Sequence, residues 1–178
     1  MFDMRKIQEQ TIAQAIARRS DEATARSIVH GEDGNENDAQ WVNATMKRLE
    51  DAFDVDTVKR IRMDCQCGYG MEEKVALVKR LMVGATDMAS FAGSDAAREA
   101  GLFCRDGELY LQFTFCPCPM LAQVQRLRSK TWCQCSAGYS KALFEKAFSC
   151  EVDAELLKSI KGGDEVCLMK ITPQGRVF

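Results

Sequence analysis

The sequence predicts an α+β fold: N-terminal helices packed on a C-terminal antiparallel sheet with one long helix. Three observations carry this. Apolar residues recur at helical spacing through the first half of the chain, as in Val42, Met46, Leu49 and Phe53. From Leu109 onward they alternate with polar residues, the period of a half-buried strand. Turn residues, Arg105-Asp106-Gly107 and Lys161-Gly162-Gly163-Asp164, stand where strands would reverse. At 178 residues the chain is long enough to bury a core without staples. One domain is expected over residues 1–178, mainly helical over 1–100, with a hairpin, helix, hairpin part over 101–178.

Met4, Ile7, Ile12 and Ile16 fall on one side of a first helix, and Ser20 or Asp21 caps a second ending near His30. Gly31 to Asp38 is a polar, acidic stretch read as a solvated connector, its spacing unlike that of a calcium loop. Asp38 is expected to cap the third helix. Val58, Ile61 and Cys65 mark the next, which Gly68 and Gly70 end. Met71, Val75, Val78 and Met82 mark a further helix, and the small-residue stretch from Gly84 to Ala100 suits one or two short ones. Leu102-Phe103-Cys104 and Leu109 to Phe115 form a predicted hairpin, stopped by Pro117 and Pro119. Ser136 reads as the cap of a helix carrying Tyr139, Leu143, Phe144 and Phe148. Strands over Cys150 to Leu156 and Glu165 to Thr172 complete the sheet.

Composition narrows the function classes. With 46% hydrophobic and 28% charged residues, the chain has the make-up of a globular domain. A net charge of -2 gives no general attraction to nucleic acid or anionic membranes. No segment approaches the roughly 20 apolar residues of a membrane helix. Residues Met1 to Lys6 lead into a polar helical pattern and not a signal-peptide core. The expectation is a cytoplasmic protein with no nucleic-acid and no membrane partner. A small-molecule ligand and a second copy of the chain are the partners left open.

Nine cysteines carry the chemistry. Six fall in three pairs of one spacing: Cys65-Gln-Cys67, Cys116-Pro-Cys118 and Cys133-Gln-Cys135. Two thiols that close make a strained disulfide but a good start on a thiolate cage for a soft or borderline metal. All six are therefore candidate metal ligands, with zinc expected and another thiophilic metal or an iron–sulfur cluster as alternatives. Each pair sits where regular structure stops: at a helix end, after a strand and before a helix. Cys104, Cys150 and Cys167 fall in strand patterns and read as small core residues. A thiol can also serve as a nucleophile once its pKa is lowered, and the pair before the Ser136 helix lies where a helix N-terminus would do so. His30 is the single histidine and the one available imidazole base.

The stretch from Trp132-Cys133-Gln134-Cys135-Ser136-Ala137-Gly138-Tyr139 to Gly163-Asp164-Glu165-Val166-Cys167 resembles the 4-vinyl-reductase-type small-ligand-binding domain. It is similar also to the family named for L-2-amino-thiazoline-4-carboxylic acid hydrolase. The shared features, over Cys104 to Thr172, are a Cys and Ala-Gly-Tyr opening a helix, an acidic alternating strand, and Gly-Asp-x-x-Cys before a last strand. The resemblance implies an α+β domain holding a small, often apolar ligand. It also implies, in some members, a zinc site onto which Cys133 or Cys135 and Cys167 map, with Glu155 near the acidic ligand. Ser159 stands where that site has a cysteine. The expected function is a small-ligand- or metal-binding domain with a structural or sensing role. The alternative is an enzyme, a hydrolase of small sulfur-containing compounds or a thiol-dependent reductase.

Overall fold

A computed structural model describes residues 3–31 and 36–178. Glu32 to Asn35, the heart of the predicted acidic connector, lie outside the described residues. The α+β class holds: the described residues form eight α-helices and a four-stranded antiparallel sheet. The chain divides into two compact units, and each draws on both halves of the sequence. One comprises Met1–Cys67, Cys116–Gly138 and Lys161–Gly163; the other comprises Gly68–Phe115, Tyr139–Ile160 and Asp164–Phe178.

The first unit contains α1 (Met4–Ala17), α2 (Glu22–His30), α3 (Asp38–Ala52) and α4 (Val55–Met63). Asp21 and Asp54 cap α2 and α4 by accepting from the backbone N–H of Thr24 and Thr57. The cap of α3 is Asn37, not Asp38, because Asn37 exchanges hydrogen bonds with Gln40 in a capping box. Ile12, Ile16, Val29, Trp41, Val42, Leu49 and Ile61 are buried, as their helical spacing requires. The Trp41 indole N–H donates to the Val29 carbonyl at 2.7 Å, so its one polar atom is satisfied.

Segment 116–138 folds onto these helices, with a 3-10 turn at Pro119–Leu121. The Arg128 N–H donates to Asn43 Oδ1 at 3.0 Å, and the Ser129 hydroxyl donates to Glu50 at 2.6 Å. Trp132 is buried edge-on against Trp41, ring centres 5.6 Å apart.

The second unit contains α5 (Met71–Met82), α6 (Met88–Ala92), α7 (Asp95–Glu99) and the strands β1 (Leu102–Arg105), β2 (Glu108–Phe113), β3 (Val152–Lys158) and β4 (Cys167–Pro173). Helix α8 (Gln134–Phe148) has its first residues in the first unit and continues from Tyr139 in the second. The strands run in the order β1-β2-β4-β3. Asp106 and Gly107, at φ 53° and 79°, make the two-residue turn of the β1–β2 hairpin. Leu109 pairs with Ile171 and Leu111 with Met169, placing four buried side chains on one face. The Phe144 and Phe148 rings of α8 meet at a tilt, centres 5.2 Å apart, and Phe148 meets Phe91 of α6 edge-on at 5.8 Å.

Two of the predicted strand boundaries move. Strand β2 stops at Phe113, whose partner Cys167 is the first residue of β4, so the ladder has nothing to pair with Thr114 and Phe115. Phe115 is 63% exposed as a result. Strand β3 begins at Val152 because Ser149, at φ 56°, turns the chain out of α8. Asp164 closes the turn before β4 by accepting from the Ser159 N–H at 2.7 Å, while its own N–H donates to the Ser159 carbonyl. Among the described residues no helix is long and apolar enough to cross a membrane.

Candidate functional site

All six paired cysteines fall in the first unit, and Cys104, Cys150 and Cys167 in the second. No disulfide joins any of the nine. Two helix ends in the first unit carry two of the pairs. Helix α4 finishes at Met63, and Cys65 follows as a fully buried residue whose thiol donates to the Ile61 carbonyl at 3.0 Å. Helix α8 starts at Gln134, with Cys133 just before it and Cys135 in its first turn. Gly138 sets the contact between them. A Cβ there would stand 1.9 Å from the Met63 carbonyl oxygen, so only glycine lets this turn rest on the end of α4.

Arg62 and Trp132 occupy the junction. Arg62 is fully buried and donates through Nη2 to the Trp132 carbonyl at 3.0 Å. Its guanidinium lies 4.4 Å from the Trp132 ring centre, a cation–π contact. Among the described residues its Nε and Nη1 have no partner of hydrogen-bond geometry, and neither has the Trp132 indole Nε1. Buried polar atoms are normally satisfied, and each orphan calls for an explanation.

The thiols respond to one another. Burial pushes the Cys135 thiol far above its ordinary pKa; Arg62 opposes this, and the neighbouring Cys118, Cys133 and Cys65 add to it. Burial also raises Cys65, against the pull of Arg62, and raises Cys118, whose ionised form the Trp132 indole N–H favours. At Cys135, in the first turn of α8, burial sets the direction of the shift. Ser136 lies inside the first turn of α8 and not at its cap.

Cys65, Cys118, Cys133 and Cys135 thus form an electrostatically coupled cluster drawn from three motifs. Cys116 is half-buried and acts on Cys118. Cys67 is half-buried, and among the described interactions none ties it to the other five. Among the described residues no three Cys, His, Asp or Glu side chains stand in a geometry that could hold a metal ion as they are.

The whole chain, residues 1–178, matches a family described as a family of unknown function (DUF6144). The chain belongs to that family. No curated protein and no solved structure matches it. The resemblance to the 4-vinyl-reductase-type domain accordingly rests on its motifs over Cys104 to Thr172. Within them, Gly163-Asp164 serves the turn that holds Ser159, and Glu155 is exposed opposite Lys170. His30 ends α2 as an exposed residue, with no described contact to a cysteine.

Sequence reasoning passed over Arg62 and Trp132. A signal was present for the first: Val58, Ile61, Arg62 and Cys65 follow the i, i+3, i+4, i+7 pattern of a buried face, with an arginine set into it.

Proposed function

We propose that this member of the DUF6144 family is a cytoplasmic metal-binding protein whose first unit takes up zinc, or another thiophilic ion, at the Cys65, Cys118, Cys133 and Cys135 cluster. The observation that supports the reading is that all six paired cysteines fall in one unit, where the buried Arg62 and Cys65, Cys118 and Cys133 act electrostatically on Cys135. Soft thiolates select such ions, and binding itself supplies the free energy that draws the sulfurs into place. A structural or sensing role follows, since metal occupancy would tie the end of α4 to the start of α8.

The enzyme alternative is weaker on a specific ground. A nucleophilic cysteine needs a depressed pKa and an exposed sulfur, whereas burial raises Cys65, Cys118 and Cys135.

Metal content of protein purified under reducing conditions without added metal is the test. A stoichiometric thiophilic metal is expected. Less than about 0.2 equivalents of every transition metal, too little for a folding ligand, overturns the reading. Cys118→Ser and Cys135→Ser should each lose the ion, and Cys150→Ser, in the second unit, should keep it.

A further inference from the structure

The contact between the end of α4 and the chain before α8 holds one large charge without the partners that burial demands. Arg62 is fully buried, and among the described residues no carboxylate forms an ion pair with it. Its Nη2 donates to the Trp132 carbonyl, which also accepts from the Cys135 N–H at 3.4 Å. Its Nε and Nη1, with the Trp132 indole Nε1, have no partner of hydrogen-bond geometry among the described residues. The Trp132 ring, 4.4 Å from the guanidinium, replaces only part of the hydration lost. Buried donors and a buried cation left unmatched raise the energy of the closed contact, and water would satisfy all of them.

One side of this contact can let go cheaply. Arg62 lies in the last turn of α4, which ends at Met63, and Cys65 to Cys67 follow without helix or strand. A helix end detaches without breaking the helix interior. Asp64, in the same turn, pairs with Arg19 where both are partly exposed, and such pairs hold weakly. Trp132 stands on the firmer side. Ser129 and Thr131 both donate to Glu50 of α3, and the Trp132 ring packs edge-on against Trp41. Cys65 is sealed by the closed turn: it is fully buried, and its thiol donates to the Ile61 carbonyl.

We infer that Arg62 strains a latch: the last turn of α4, from Arg62 to Cys65, opens locally from Trp132 and presents the Cys65 thiol to solvent while the rest of the unit stays folded. Arg62 is hydrated in the open form and unmatched in the closed one, so its charge sets how often the thiol is reachable. The Trp132 indole N–H adds to the same imbalance. No covalent bond is made or broken in the opening. The latch belongs to the metal-free chain and stands apart from the metal reading.

The test treats the freshly reduced full chain, in the presence of a metal chelator, with iodoacetamide and follows modification of Cys65 by peptide mass. Local opening exposes little surface, so Cys65 labelling should stay nearly constant at low urea, whereas labelling through global unfolding rises steeply. Arg62→Met fills much of the same space without the charge. It should slow Cys65 labelling about tenfold, as expected when an apolar side chain replaces a poorly compensated buried ion, and should raise the urea midpoint. Arg62→Lys keeps a buried cation and should label at least as fast as wild type. Labelling as fast or faster in Arg62→Met, a lower urea midpoint or loss of folding in that variant, or slower labelling in Arg62→Lys overturns the inference. So does a wild-type labelling rate with the urea dependence of global unfolding. None of these outcomes bears on metal content, which decides the metal reading separately.

Discussion

At the scale of the residue, Gly138 and Arg62 show how one side chain, or the lack of one, builds the cluster. Gly138 leaves room for the Met63 carbonyl, and an added methyl would overlap backbone that cannot swing aside. Gly138→Ala is expected to cost about 1–3 kcal/mol, the usual penalty of overpacking, measured by chemical denaturation. Ser136→Ala, two positions earlier and not a cap, should stay within about 0.5 kcal/mol. Arg62 is the opposite case, a large charged side chain kept where an apolar one would fit the helical pattern. Its cost in desolvation is offset only in part by the Trp132 carbonyl and ring.

Among the elements, the short helices depend on their first turns. Asp21, Asp54 and Asp87 each cap a helix, and hydrogen bonds from Thr24, Thr57 and Ser90 hold their carboxyls below the usual carboxylate pKa. A depressed pKa in the folded state means that the unfolded chain binds protons first on acidification. The stabilisation is therefore complete above the unfolded value, about pH 4, and is lost as pH falls through the folded value. Thermal melts should show a steeper loss of stability from about pH 5 to about pH 3 in wild type than in Asp54→Asn. Asparagine caps the same turn without titrating.

For the molecule as a whole, the separation of the cysteines by unit makes a prediction about linkage. A ligand that binds only the folded state stabilises it, by about 2.7 kcal/mol at a hundredfold excess over its dissociation constant. Zn2+ should raise the melting temperature and a chelator should reverse the rise. Hydrogen exchange should slow mainly in Met1–Cys67 and Cys116–Gly138. Because Trp41 and Trp132 are the two tryptophans and both lie in that unit, intrinsic fluorescence should follow the same titration. Uniform slowing across both units would argue against a local site.

Much of this was legible in consecutive residues. Helices α1 to α5, the Asp106-Gly107 turn and the alternating β2 strand are local patterns, set by spacing along a few turns or one pleat, so the sequence by itself determined them. It also determined that six cysteines come in pairs of one spacing. Strand ends were less legible, since Phe113 is the last residue of β2 only because β4 begins at Cys167. Tertiary structure alone decided that the three pairs fall in one unit. The end of α4 meets the start of α8 because Arg62 bonds Trp132 across 70 residues of sequence and Gly138 admits the Met63 carbonyl. It also decided that the Cys65, Cys118 and Cys135 thiols are pushed above their ordinary pKa, because burial depends on what the rest of the unit lays over them.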